Sequence, residues 1–304
     1  MAEENRPTLD PHVLAKIERL EVRARLVVEG FLSGMHRSPF KGSSLEFAQH
    51  REYAPGDDVR FVDWKLLAKT DGVYVQEFEE ETNLRCYLFV DQSESMGYAH
   101  DGGMSKFDYS ATAASSLAYL LQQQSDAVGL ALFDEGVVQQ IPASNTRGAL
   151  VQILHQLETA KPDRKTTIGK TLVELASQIR GRSIVCLFSD LFDDLEAFEQ
   201  GLRALASRGH DVVVFHVLDR DEVEFPFERM TMFEGLESLP QLLADPRGLR
   251  DAYLKEVADF QEGVRRSCSR NRVDYIPLKN SDPLDVALSQ FLAARLSRKK
   301  SARR

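Results

Sequence analysis

Five consecutive residues, Asp91-Gln92-Ser93-Glu94-Ser95, stand where the apolar run RCYLFVD ends in its aspartate. In an extended or gently turning segment, positions i, i+2 and i+4 point the same way, so Asp91, Ser93 and Ser95 can converge on one point. A second apolar run, SIVCLFSD, ends in Ser189-Asp190, and Thr166 and Thr167 precede a helical pattern that starts at Ile168. Carboxylate and hydroxyl oxygens suit a hard cation; Mg²⁺ takes octahedral oxygen and keeps several of its waters. The chemistry on offer is therefore divalent-cation binding, with Mg²⁺ as the expected ion and Mn²⁺ or Ca²⁺ as alternatives. Taken alone, Asp-x-Ser-x-Ser also marks an ordinary capping turn, because Asp and Ser satisfy free N–H groups at a helix start.

These residues can meet only if the elements that carry them end at one edge. From Asn83 onward, apolar runs alternate with helical patterns. RCYLFVD, AVGLALFD, SIVCLFSD, DVVVFHVLD and VDYIPL read as strands, and VVQQIPA as a short strand paired to AVGLALFD through the Asp134-Glu135-Gly136 turn. Helical segments lie between them, among them KFDYSATAASSLAYLLQQQS with Phe107, Ala111, Ala114, Leu117, Leu120 and Leu121 on one face. Such alternation means an α/β fold with a doubly wound, mostly parallel, Rossmann-like sheet. The near-continuous apolar strands imply helices on both faces. Ligands of such sheets bind beyond the carboxyl ends of the strands, at the switch point in strand order, so the strand ending in Asp91 should be central.

Upstream, the pattern from about Leu9 to Val28 is amphipathic, with Leu14, Ile17, Leu20, Val22, Leu26 and Val27 at roughly helical spacing. The stretch from Gly34 to Thr82 is rich in turn sequences and reads as an irregular arm. The expected organisation is an N-terminal helix and arm over 1–82, an α/β domain over 83–297 and a basic tail over 298–304.

The chemistry-bearing residues also carry a resemblance. Asp91, Ser93 and Ser95 after a first strand, a threonine farther on and an aspartate at the end of a later strand resemble the metal-ion-dependent adhesion site of von Willebrand factor A domains. On that pattern Thr166 matches the threonine, because Thr166-Thr167-Ile168-Gly169-Lys170-Thr171-Leu172 is similar to that family's T-D/N-x-G-x-x-L; Thr167 departs from its usual Asn or Asp. Asp190 matches the last acid. Leu45-Glu46-Phe47, the run from Arg51 to Arg60 (REYAPGDDVR) and Val62-Asp63-Trp64 resemble the signature of the bacterial domain of unknown function 58 family, over most of the chain from about Gly42. The resemblance implies a von Willebrand factor A-like domain in which the hydroxyls of Ser93, Ser95 and Thr166 bind Mg²⁺ while Asp91 and Asp190 supply charge, often through water. It also implies a MoxR-type AAA+ ATPase as partner, and the short type without the two N-terminal membrane helices that many members carry. The Arg51-to-Trp64 motif is expected mainly to dock the arm, with Trp64 as a packing anchor.

Composition excludes several other classes. A net charge of −9 and a pI near 5.4 argue against nucleic-acid binding, which needs clustered Lys and Arg. The basic residues from Arg295 to Arg304 read as a frayed, solvated terminus. Cys86, Cys186 and Cys268 form no C-x-x-C pair, so neither a zinc knuckle nor a thioredoxin-type site is suggested, and a reducing compartment is expected. No segment reaches the ~18 consecutive apolar residues of a membrane span. The N-terminus, MAEENRPTLD, is polar and acidic, unlike a secretory signal. A cytoplasmic location follows as the expectation.

Walker A, G-x-G-x-x-G and H-E-x-x-H signatures are absent, and no serine or cysteine sits in a nucleophile elbow. The expected function is thus a non-catalytic, Mg²⁺-dependent protein-binding module, an adaptor or chaperone-like partner of a MoxR-type ATPase, with no catalytic residues. The alternative is a metal-dependent, phosphatase-like hydrolase using the same site, which would need a phosphate-binding basic group nearby. Lys106 is the first such residue after Asp91 and is set aside because it begins a helix.

Overall fold

The computed structural model describes residues 11–37, 50–52, 74–76, 84–100, 102–233 and 242–292. Two compact units divide the chain, 1–32 together with 84–304, and 33–83. Within the smaller unit the described residues form an antiparallel ribbon, β1 (His50–Glu52) with β2 (Tyr74–Gln76), in which Arg51 stands opposite Val75. The rest of the Leu45-to-Trp64 signature and the basic tail lie outside the described residues.

The larger unit is an α/β fold built on a six-stranded, mostly parallel sheet with helices on both faces. Its strands are β3 (Arg85–Asp91), β4 (Ala127–Phe133), β5 (Val137–Ser144), β6 (Ile184–Ser189), β7 (Asp211–Leu218) and β10 (Asp274–Lys279), in the order β10-β7-β6-β3-β4-β5. All neighbours are parallel except β4 and β5, which pair antiparallel through the expected turn. The strand ending in Asp91 is internal. From β3 the chain moves outward to β4 and β5, then crosses back to β6 on the other side of β3. The carboxyl ends of β3 and β6 therefore border the switch point, the place where ligands of such sheets bind.

Alternation along each strand feeds two cores, as the period of a pleated strand requires. Cys86, Leu88 and Val90 of β3 and Cys186 and Phe188 of β6 enter one core with α3 (Lys106–Gln123) and α4 (Arg147–Thr159). Tyr87 and Phe89, with Val185 and Leu187, enter the other with α5 (Ile168–Gln178), α6 (Leu195–Ser207) and α8 (Pro246–Arg270). Between β7 and α8 stand the short helix α7 (Arg220–Glu224) and a ribbon of β8 (Thr231–Phe233) and β9 (Leu242–Ala244). A last helix, 284–292, covers the first core through Leu284, Ala287, Leu288 and Phe291.

The amino-terminal region departs from expectation in two ways. The helix read over Leu9 to Val28 is two helices, α1 (Pro11–Leu14) and α2 (Leu20–Arg37). The break lets Leu14 and Leu20 both enter the core, and the Leu20 N–H at the start of α2 donates to Glu158 Oε1 of α4 at 3.1 Å, satisfying a group no helix can satisfy internally. Val22, expected on the apolar face, is 40% exposed, and Ala24, Val28 and Phe31 are buried in its stead. Because Leu20, Val27, Val28 and Phe31 share a core with β3 and β6, this helix segment groups with the sheet, not with the arm as the expected 1–82 boundary had it.

Candidate metal centre

Asp91 is the last residue of β3 and, by alternation, shares the face of Tyr87 and Phe89 that carries α5 and α6. Its carboxylate is fully buried and hydrogen-bonded on both oxygens. Oδ1 accepts the Ser93 N–H at 2.9 Å, an Asx-type turn that swings the chain into the single 3₁₀ turn Glu94–Gly97. Oδ2 accepts the Ser189 hydroxyl at 2.6 Å, and the Thr166 hydroxyl stands 3.5 Å from it. Ser93 precedes the 3₁₀ turn, yet its side chain caps no backbone N–H; its Oγ lies 3.2 Å from Ser95 Oγ. The simple capping role open to this motif is therefore not the one Ser93 plays.

Thr166 is brought in by the loop before α5. The Thr167 N–H donates to the Asp134 carbonyl at the end of β4, and the Glu94 N–H donates to the Arg164 carbonyl, which ties this loop to the 3₁₀ turn. Ile168 N–H, at the start of α5, donates to Asp193 Oδ2 at 2.8 Å, while Asp194 caps α6 by accepting the Ala197 N–H at 2.7 Å. The two acids after Asp190 thus cap two different helices. Thr167 makes no capping bond and is not among the hydroxyls gathered at Asp91.

Asp190 lies one residue past β6, and alternation puts it on the opposite face from Ser189, toward α3. Leu191 follows in the left-handed region with φ 59°, a conformation costing a non-glycine residue roughly 1 kcal/mol or more. That turn lets the Leu191 N–H donate to Ser189 Oγ at 2.9 Å and the Phe192 N–H to Asp190 Oδ1 at 3.2 Å, so it fixes both strand-end side chains. The other oxygen, Asp190 Oδ2, accepts from the Lys106 ammonium at 2.8 Å. Lys106 is fully buried, also donates to Glu222 Oε1 at 2.5 Å, and lies 4.9 Å from the centre of the Phe192 ring. Burial opposes its charge, but Asp190 and Glu222 outweigh burial and hold its pKa above the usual lysine value.

His216 supports the same turn from β7. Burial pushes its pKa down to about 4, so the ring is neutral. Nε2 then carries the hydrogen and donates to the Asp190 carbonyl at 2.9 Å, while Nδ1 accepts the Tyr275 hydroxyl at 2.8 Å.

The donor set fits a small hard cation. Adjacent oxygens of an octahedron with bonds of about 2.1 Å stand roughly 3 Å apart, and the Ser93–Ser95 and Thr166–Asp91 separations are 3.2 and 3.5 Å. Burial, and after it the charge of Asp190, push the Asp91 carboxyl up to about 7 against the hydrogen bonds from Ser189 and Ser93, a strain that a cation would relieve. Among the described residues no group of three or more His, Cys, Asp or Glu side chains could hold a metal, so any such site depends on hydroxyls. The residues singled out in the sequence fall into two sets: Asp91, Ser93, Ser95 and Thr166 gather directly, while Asp190 stands beside them facing Lys106. Ser95 and Thr166 are 5% and 8% exposed and the other three are fully buried, so the site is more covered than the open surface depression expected.

Lys106, Ser189, Glu222 and His216 were missed as site residues. Lys106 meets acids here and not a phosphate site, so it adds a charge to the strand end without supplying the group a phosphatase needs. It begins the helix whose N-terminus points at the strand ends, and its long side chain closes the gap.

The chain is similar over 94% of its length to the uncharacterized protein Rv1480 of Mycobacterium tuberculosis (strain ATCC 25618 / H37Rv), with 25% identity over 291 residues that cover 90% of that protein. Among solved structures, the conserved hypothetical protein BatB from Bacteroides thetaiotaomicron aligns with a TM-score of 0.48 at 18% identity, over 69% of this chain and 97% of that one. The SpRpn10 VWA domain aligns with a TM-score of 0.41 at 10% identity, over 68% and 94% respectively. No helix among the described residues is long and apolar enough to cross a membrane. The family model described as "Protein of unknown function DUF58" matches residues 49–263, and the chain belongs to that family.

Proposed function

We propose that this protein is a non-catalytic, Mg²⁺-dependent protein-binding module that works as an adaptor or chaperone-like partner of a MoxR-type AAA+ ATPase. The observation that carries the reading is the meeting of Ser93, Ser95 and Thr166 hydroxyls with Asp91 at the switch point of the sheet, beside Asp190. Hydroxyl ligands leave most of a divalent charge unneutralised at the metal, so a carboxylate from a partner protein is a favoured ligand for an open position. The ATPase as partner is what the resemblance of the 45–64 signature implies, and the von Willebrand factor A-like fold suits an interaction module.

The hydrolase reading gains one observation, the proximity of Lys106 to Asp190. It stays second because that ammonium is buried between two carboxylates under Phe192 and faces acids, not a phosphate. His216, the nearest candidate base, has both ring nitrogens engaged. Purified protein should show no metal-dependent phosphoester turnover.

The test is a calorimetric titration of the full chain with a MoxR-type ATPase from the same organism, in Mg²⁺ and in chelator. Binding should weaken by a few kcal/mol in chelator and in Ser93→Ala/Ser95→Ala, the order seen for central interface contacts. Equal affinity in all three would overturn the reading and turn attention to the Arg51-to-Trp64 segment.

A further inference from the structure

Lys106 contributes nothing to the cation site as read above, yet it touches one of that site's acids. We propose that Lys106 is a built-in competitor of the metal: its ammonium occupies Asp190 and holds the divalent-cation affinity of the site down. The inference rests on the reading of the strand-end cluster as a cation centre and assigns that centre its regulation.

Three observations carry it. Both oxygens of Asp190 are already engaged, Oδ1 by the Phe192 N–H and Oδ2 by Lys106, so a cation that draws on this carboxylate must share it with a fixed positive charge. The ammonium is held in place from its other side. Glu222 Oε1 accepts from it, and Glu222 is itself locked by a capping box, with Oε2 accepting the Asp219 N–H at 2.7 Å. Asp219 in turn accepts from Asn280, the His100 N–H and the Asp221 N–H, so the frame behind Lys106 is hydrogen-bonded through.

The third observation is the position of Lys106 itself. It is the first residue of α3, the end of a helix dipole where a cation is least favoured. A fully buried lysine placed against the local preference, with two carboxylates built around it, marks a position where a local rule gives way to a site. Like charges drawing on one buried carboxylate repel, so the ammonium and a divalent ion at Asp190 disfavour each other.

The experiment is Mn²⁺ titration of the full chain followed by electron paramagnetic resonance, with Mg²⁺ as competitor, on wild type, Lys106→Met, Lys106→Met/Glu222→Gln and Ser93→Ala/Ser95→Ala. Thermal unfolding followed by circular dichroism reports folding of each variant. Lys106→Met should tighten Mn²⁺ binding at least tenfold, and the double variant should tighten it by less. If Lys106→Met alone does not fold, the double variant, which removes both charges of the pair, carries the test. Unchanged or weakened binding in the folded Lys106 variants would overturn the proposal and leave Lys106 as a support for Asp190. Binding in Ser93→Ala/Ser95→Ala equal to that of wild type would overturn the cation centre itself, and the present inference with it.

Discussion

The two strand ends that border the switch point each present an aspartate, and they are built in opposite ways. At the end of β3, Asp91 is surrounded by neutral donors, the hydroxyls of Ser189 and Thr166 and a backbone N–H. Just past β6, Asp190 is held by a charge, the ammonium of Lys106, which a third carboxylate shares. The difference comes from parity. Asp91 and Ser189 point to the face carrying α5 and α6, where the Thr166 loop begins; Asp190 points to the face carrying α3 and meets the first side chain of that helix. A step of one residue along a strand therefore decides whether a strand-end acid is met by neutral donors or by a fixed positive charge.

The largest contrast between the two ends should be in stability without metal. Lys106→Met leaves Asp190 and Glu222 buried without their counter-charge, and loss of one partner of a buried ion pair costs about 3–5 kcal/mol. Urea unfolding in chelator should show that loss, and added Mg²⁺ should recover part of it. Ser93→Ala/Ser95→Ala removes two hydroxyls that meet each other and should stay within about 1 kcal/mol of wild type under the same conditions. Similar losses in the two variants would erase the distinction between a charge-held and a hydroxyl-held end.

Metal binding should separate them next. Asp91→Asn keeps the shape and removes the charge, and Mn²⁺ affinity should fall by about 100-fold, the upper range for loss of groups that orient or neutralise a bound metal. The paramagnetic titration measures it directly, and an unchanged affinity would remove Asp91 from the site.

Smaller effects test the frame. Gly169 lies where α5 crosses α6, and a Cβ there would stand 2.4 Å from the Ala197 carbonyl group. Gly169→Ala should cost about 1–3 kcal/mol through overpacking, equally with and without Mg²⁺, because it disturbs the helix crossing and not the ligands. Chevron or equilibrium unfolding in both conditions checks this. The smallest effect is Tyr275→Phe, which removes the hydroxyl donated to His216 and should cost about 1 kcal/mol. A much larger loss would mean that His216 does more than steady the Asp190 turn.

Much of this was legible in the residues themselves. Apolar runs ending in Asp91 and Ser189-Asp190 located the carboxyl edge of a parallel sheet, and the fold rule for such sheets directed attention there. The Asp134-Glu135-Gly136 turn announced the antiparallel edge strand. Ser189 was within reach of the same reasoning, since it shares the alternation parity of the inward-facing Val185 and Leu187, and Asp190 does not. Lys106 and Glu222 were harder. Their meeting depends on where α3 and α7 begin relative to the strand ends, a three-dimensional offset that periodicity does not encode. The only local signal was a lysine at the unfavourable end of a helix. The break before Leu20 was invisible for a related reason: it is held by Glu158, 138 positions away.

The most direct test of the cation centre is anomalous diffraction from a crystal of the full chain soaked in Mn²⁺. The expected result is a single strong peak at the ends of β3 and β6, about 2.1 Å from the Ser93 and Ser95 hydroxyls for a Mg²⁺-like ion, and lost in Ser93→Ala/Ser95→Ala. A soaked crystal with no peak there, or with its peak away from these hydroxyls, would contradict the assignment of Asp91, Ser93, Ser95, Thr166 and Asp190 to a metal site.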